Sequence, residues 1–110
     1  VALSNLVAWV ESPHKYQRRA VPVTMIKLRK HFPHEELLTA VEPLMVDAEK
    51  VVQQGTGWLL RELWKQSPAL VEAFLHRHKE HAPRLIVQYA TEKMTAAQKQ
   101  RFKRPLKKKS

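Results

Sequence analysis

The sequence predicts an all-α fold, in which antiparallel helix pairs stack as an α-solenoid. Apolar residues recur at helical spacing along the chain, whereas Asn-Gly and Asp-Gly hairpin turns and sustained polar-apolar alternation are missing. Helix pairs with a period of 35 residues are typical of HEAT-like stacking, in which each pair buries its face only against its neighbours. A plain helical bundle explains the repeat nearly as well. The repeat consists of three matches at a shift of 35 residues: Leu28 on Leu63, Lys30 on Lys65 and Pro33 on Pro68.

Capping and turn residues divide the chain into helices. Ser12 and Pro13 end a short first helix, and Asp47 can cap the long helix in the middle of the chain. Ser67 is a predicted N-cap followed by proline at the first helical position, and Thr95 caps a last turn or two. The predicted helices cover, in order, residues 4–10, 14–30, 33–45, 48–66, 69–79, 83–93 and the turns after Thr95.

Length and composition indicate one small folded domain. The chain has 110 residues and no cysteine, so disulfides, thiol catalysis and thiolate metal sites are excluded, and a reducing compartment such as the cytoplasm is expected. No apolar run approaches the roughly 18 residues that a membrane helix needs, so no membrane association is expected. Residues 1–102 are the predicted helical repeats, and residues 103–110 are a basic tail.

The net charge of +10 favours a polyanionic partner, and the charge is sorted along the chain. Six of the twenty basic residues lie in residues 101–110, RFKRPLKKKS. Residues 35–49 contain five acids and no base. A second group of six bases lies between Glu11 and His31, and comprises Lys15, Arg18, Arg19, Lys27, Arg29 and Lys30.

On a helical wheel, five of these six bases form one cationic face of the helix predicted over residues 14–30. They are Lys15, Arg18, Arg19, Arg29 and Lys30. Because Glu11 is the one acid nearby, they gain little from ion pairing, and phosphate binding is favoured over a merely solvated face. Pro22 removes a hydrogen bond and is expected to bend this helix. The opposite side is predicted core and comprises Ala20, Val21, Thr24, Met25 and Leu28.

The helix over residues 48–66 carries both glycines and two of the three tryptophans. Gly55 lies within its apolar stripe, where a missing side chain lets a neighbouring helix approach closely. Trp58 lies at the edge of the stripe, with Arg61 and Lys65 on its polar side as further candidate DNA contacts. Trp58 is either a core-edge residue whose indole nitrogen reaches water, or an aromatic face presented to a ligand beside cations. Trp64, on the opposite border, is expected to pack against the following helix pair.

Three stretches make a resemblance to a known family specific: WVESPHKYQRRAVPV, EELLTAVEPLMVDAEKVVQQGTGWLLRELWKQSPALVEAFLHRH and PRLIVQYATEKM. They resemble the C-terminal part of the bacterial AlkD-like DNA alkylation repair proteins, over about residues 6–102. The resemblance implies an α-solenoid whose concave basic surface holds duplex DNA with alkylated purines. It also implies that Arg19 contacts DNA at the lesion and that Trp58 stacks in the active cleft.

The family's catalytic aspartate, in a W-D-x-V-D type motif, has no counterpart in this chain. Asp47 is the only aspartate and lies outside such a motif. A carboxylate stabilises the oxocarbenium-like sugar and guides water, so without one Arg19 and Trp58 should position DNA but not cleave the glycosidic bond. Tyr16 stands where family members often have Trp, and Pro22 is a second departure.

The resemblance therefore predicts the C-terminal part of a glycosylase, inactive when alone. Its expected partners, besides DNA, are missing N-terminal helical repeats of the same protein and a second copy bound through an exposed repeat face. A non-catalytic HEAT-like scaffold that binds nucleic acid or protein is the alternative.

No cofactor or metal is predicted. His76, His78 and His81 occur in FLHRHKEH, but their i, i+2, i+5 spacing points the first two apart on a helix. They are expected to face solvent, since no carboxylate or thiol ligand is nearby in sequence.

Overall fold

The computed structural model describes residues 3–102, and these residues are helical with no strand, as predicted. Two 3-10 helices, Trp9–Glu11 and Glu42–Val46, directly follow the first and third α-helices. The predicted basic tail, residues 103–110, lies outside the described residues. The α-helices are α1 (Leu3–Ala8), α2 (Lys15–Leu28), α3 (His34–Val41), α4 (Lys50–Gln66), α5 (Pro68–His78), α6 (Arg84–Ala90) and α7 (Ala96–Gln100).

Helix α4 lies at the centre of the fold, with α2 packed on one side and α6 on the other. The N-terminal ends of α2 and α4 lie side by side, because Lys15 at the start of α2 pairs with Glu49 directly before α4. At the other end, the His34 ring joins the Arg29 carbonyl after α2 to the Ser67 hydroxyl after α4. The helices α2 and α4 are therefore parallel, and α6 extends the same row.

The helices between these elements form a second row. Helix α5 packs on α4, and Glu42 after α3 contacts His78 at the end of α5. The described chain measures 47 × 30 × 18 Å, and its smallest dimension fits two helix layers about 8–10 Å apart. Such an arrangement is compatible with an α-solenoid.

The core lies between the two rows and contains the apolar stripe predicted for α4. Of that stripe, Val51 alone is half-buried. The predicted core of α2 is shifted toward Pro22 and Ile26, which are buried, whereas Ala20 and Leu28 are half-buried. The buried members of the α4 stripe are Val52, Gly55, Thr56, Leu59, Leu60 and Leu63.

Several predicted boundaries need correction. The helix predicted over residues 33–45 ends at Val41 and continues as a 3-10 helix, because Pro43 lacks the N–H for an α-helical bond. The helix predicted over 83–93 ends at Ala90, where the Thr91 hydroxyl donates to the Val87 carbonyl. In contrast, Pro22 does not interrupt α2, which runs continuously through it.

Of the three predicted N-caps, Asp47 is wrong, whereas Ser67 and Thr95 occupy the N-cap positions of α5 and α7. The Thr95 hydroxyl accepts from the Gln98 N–H in a capping box, as predicted. Asp47 does not cap α4, since its carboxylate accepts from the Glu49 N–H before the helix begins. Ser67 precedes α5 without a side-chain capping bond, because its hydroxyl lies 2.7 Å from the Nδ1 atom of His34.

Candidate nucleic-acid interface

The two glycines of α4 set how closely its neighbours approach. A Cβ atom at Gly55 would lie 3.3 Å from Cγ of Arg19 and 3.4 Å from Cγ of Pro22. A Cβ atom at Gly57 would lie 2.5 Å from Cβ of Tyr89 on α6. Gly55 therefore accommodates side chains of α2, and Gly57 lets α6 lie directly against α4.

Arg19 on α2 meets α4 close to the turn that carries Trp58. The aliphatic stem of Arg19 crosses α4 at Gly55, and Trp58 follows one turn later on the same face. The Trp58 side chain is 37% exposed, so the indole lies at the surface and is not sealed in the core. No acidic side chain among residues 3–102 pairs with Arg19. The Arg19 stem and the Trp58 indole thus lie near the same part of α4, within one turn of Gly55.

Arg18, the neighbouring predicted DNA contact, is held by an acid. Its Nε donates to Asp47 at 2.7 Å, its Nη2 donates to the other carboxylate oxygen at 3.2 Å, and its Nη1 donates to the Ser12 carbonyl. Hydrogen bonding to Asp47 raises the pKa of Arg18 above its ordinary value. Arg18 therefore fixes the start of α2 to the loop before α4.

The expectation that Glu11 is the one acid near the basic helix was wrong. Asp47 pairs with Arg18, and Glu49 lies 3.7 Å from Nζ of Lys15. Both acids come from the base-free stretch 35–49, which the fold places beside the start of α2. Two of the six bases in this group are consequently neutralised within the chain.

The two candidates on α4, Arg61 and Lys65, also have acidic partners. Glu62 lies 3.6 Å from Nε of Arg61 and 3.3 Å from Nζ of Lys65. Glu92, beyond the end of α6, forms a further ion pair with the Nη1 atom of Arg61. This part of the surface holds two bases and two acids, so it carries no net charge.

The remaining candidates lie toward the end of α2. Lys27 and Lys30 are exposed, and neither pairs with an acid within the described residues. Arg29 donates from Nη1 to the Ile26 carbonyl and so bonds to the end of its own helix. Arg19 and Lys27, eight positions apart, lie within about 80° on the helical wheel. Of the eight candidate bases, the four without an acidic partner, Arg19, Lys27, Arg29 and Lys30, therefore lie on α2 or directly after it.

Of the three histidines, His76 and His81 are exposed, as expected, whereas His78 is buried. It is 8% exposed, and its Nε2 atom lies 2.8 Å from the Glu42 carboxylate while its Nδ1 atom lies 3.1 Å from Nε2 of His81. His76 packs its ring on Phe102. Within residues 3–102, no group of three histidine, aspartate or glutamate side chains is placed so that it could hold a metal ion. The described helices also include none long and apolar enough to cross a membrane.

Three residues that shape this surface were missed from the sequence. The sequence predicts Asp47 as a helix cap, does not distinguish Gly57 from Gly55, and does not indicate the ion pair of Glu92. A useful signal is present in the charge pattern, because the base-free acidic stretch 35–49 closely follows the basic helix over residues 14–30. Trp64 was correctly expected to meet the following helix, since its Nε1 donates to Glu72 on α5.

Comparison with known proteins adds one finding. The family described as DNA alkylation repair enzyme matches residues 2–94, most of the chain, and the match includes Arg19 and Trp58. Neither the curated proteins nor the solved structures contain a significant match. The chain therefore belongs to the DNA alkylation repair enzyme family.

Proposed function

We propose that this chain is the C-terminal part of an AlkD-like DNA alkylation repair protein, and that it binds duplex DNA containing alkylated purines. In this proposal the two helix rows form a HEAT-like α-solenoid in which α2, α4 and α6 face the DNA. The observation that carries the proposal is that the stem of unpaired Arg19 meets α4 at Gly55, one turn before Trp58, whose indole is partly exposed.

The proposed contacts are of two kinds, ionic contacts with the DNA backbone and stacking of Trp58 on the lesion. Arg19, Lys27 and Lys30 bind backbone phosphates, because no acid among the described residues neutralises them. Trp58 offers its face to the cationic base or sugar of the lesion. Lys15, Arg18, Arg61 and Lys65 contribute less, since a phosphate has to compete with their carboxylate partners.

We further propose that the chain alone binds the lesion without excising the base. Asp47, its only aspartate, is occupied by Arg18, and its side chain is only 9% exposed. The glycosylase carboxylate then comes from additional N-terminal repeats of the parent protein. The exposed aromatic residues of the first helix pair, Trp9 and Tyr16, support a packing surface for such repeats. The cysteine-free composition supports a cytoplasmic location.

The proposal is tested by the salt dependence of duplex binding, measured by fluorescence anisotropy with an abasic-site duplex. Each phosphate that is neutralised adds about −0.9 to the slope of log K against log salt. A triple variant, Arg19→Gln with Lys27→Gln and Lys30→Gln, should therefore flatten the slope by about 2.7. Arg77→Gln, on α5 in the second row, is the matched control and should flatten it little. An equal effect of both variants would contradict the proposed surface.

A protein-binding scaffold is the second candidate, because the chain also has an exposed apolar groove. The groove lies on the second row and is lined by Val7, Val10, Ala40 and Pro43. If the chain is a scaffold that binds a protein through this groove, the triple variant should bind that protein as well as the wild type does. If the chain binds DNA as proposed, the triple variant should bind duplex DNA more weakly.

A further inference from the structure

The groove on the second row combines an apolar floor with an acidic rim. It lies between the first helical segment and α3 and has a volume of about 670 Å³. Its floor contains Val7, Val10 and Ala40, and Val7 remains 39% exposed. Every charged residue that lines the groove is acidic, namely Glu11, Glu35 and Glu36.

These three rim acids have no basic partner. Of the seven acids elsewhere, Glu80 also has none among the described residues, whereas Glu42, Asp47, Glu49, Glu62, Glu72 and Glu92 each contact a basic side chain. In the described part of the chain none of the rim acids forms such a pair, although bases there outnumber acids by fifteen to ten. Apolar surface framed by exposed, unneutralised carboxylates fits a basic segment with an apolar anchor.

We propose that this groove binds residues 103–110 of a second copy of the chain. That segment, KRPLKKKS, contains five bases and a single large apolar residue, Leu106. In the proposed contact Leu106 covers the apolar floor while lysines on either side of it meet the glutamates of the rim. The charges and the apolar anchor of the segment are complementary to those of the groove.

The tail is too short to reach the groove of its own molecule, which indicates that it binds the groove of a second copy. Phe102 packs on His76, and Arg101 pairs with Glu72. The end of the described chain therefore lies against the side of α5 that carries Glu72 and His76. The residues of α5 that face α3 include Leu70 and Phe74, which lie on the opposite side of the helical wheel.

To reach the groove, the same chain would have to pass α5 and α3, each about 10 Å across. Leu106 follows Phe102 by four residues, which span at most about 14 Å when extended. The anchor therefore falls short in the same molecule. The proposed contact joins the tail of one copy to the groove of another and is heterologous, with different surfaces on the two partners.

Sedimentation velocity of the nuclease-treated full chain over a range of concentrations tests the proposal without DNA. The chain should self-associate at low salt. The double variant Glu35→Gln with Glu36→Gln should weaken the association about tenfold, as should Leu106→Asp. Glu80→Gln, which removes an exposed and unpaired acid outside the groove, is the matched control and should change it less than twofold.

Mixing the two impaired variants separates the proposed contact from other modes of association. The double glutamate variant keeps an intact tail, and the Leu106→Asp variant keeps an intact groove. Their mixture should therefore restore association that neither variant shows alone. A monomeric wild-type chain, association insensitive to either variant, or a mixture that stays as impaired as its components would overturn the proposal.

Discussion

Replacing Gly57 by alanine tests the packing that places Trp58 at the surface. The new Cβ would lie 2.5 Å from Cβ of Tyr89 and 2.9 Å from the Ile86 carbonyl oxygen. Carbon atoms in contact normally lie about 3.5–4.0 Å apart, so α6 would have to move by about 1 Å. Neither obstacle is the far end of a flexible side chain, so rotation of a side chain cannot relieve the overlap.

The expected effect is a net loss of about 2 kcal/mol of stability. Overpacking of a closely packed contact costs about 1–3 kcal/mol, and the upper end applies here because backbone has to shift. Replacing glycine by alanine within a helix returns about 1 kcal/mol through helix propensity. In a domain of this size a loss of 2 kcal/mol lowers Tm by about 8–16 °C.

Gly55→Ala is the matched control, since it makes the same chemical change two residues away on α4. Its Cβ would meet Cγ of Arg19 at 3.3 Å and Cγ of Pro22 at 3.4 Å, distances that a few tenths of an ångström relieve. The gain in helix propensity should then leave this variant about as stable as the wild type, or up to about 1 kcal/mol more stable. Thermal and urea unfolding followed by circular dichroism measures both variants. A Gly57→Ala variant as stable as Gly55→Ala would refute the close approach of α6.

Three further predictions concern DNA binding. Trp58→Ala should weaken binding to a duplex that contains an alkylated purine about 5- to 150-fold, the range that loss of one base-aromatic contact produces, while circular dichroism stays unchanged. Trp9→Ala, which removes another exposed indole, is its control, and wholesale unfolding of Trp58→Ala would restore the core-edge interpretation. Arg19→Gln should make the log-log salt slope shallower by about 0.9, and an unchanged slope would show that Arg19 binds no phosphate. Glu92→Gln should release Arg61 from its ion pair, so that DNA affinity rises and the slope steepens by up to about 0.9; weaker binding would contradict this assignment.

The sequence predicted features that depend on local periodicity. The apolar stripe of α4 was predicted because its residues recur at helical spacing, and the helix buries nearly all of them. Proline at the start of α5 and the Thr95 capping box were predicted for a similar reason, since both depend on neighbouring residues alone. The prolines at 33 and 68 that support the repeat directly precede α3 and begin α5, respectively.

Features that depend on contacts between helices could not be predicted in the same way. Arg18 and Asp47 are 29 residues apart, and Asp47, which is predicted as a helix cap, forms an ion pair with Arg18 instead. Ser67 similarly bonds to His34, 33 residues earlier. The different roles of the two α4 glycines depend on which neighbour lies against each, α2 or α6. A helical wheel assigns a residue to a face but does not identify the helix opposite it.

The proposed function requires Arg19 and Trp58 to act together on the same stretch of DNA. The decisive measurement is a double-mutant cycle with Arg19→Gln, Trp58→Ala and the combined variant, in which affinity for an abasic duplex is determined at fixed salt. Because Arg19 meets α4 at Gly55 and Trp58 follows Gly55 by three residues, both side chains would contact neighbouring groups of the DNA, and their effects should be coupled by about 0.5–3 kcal/mol. Effects that add within about 0.3–0.5 kcal/mol would show that the two side chains bind independently, and would contradict the claim.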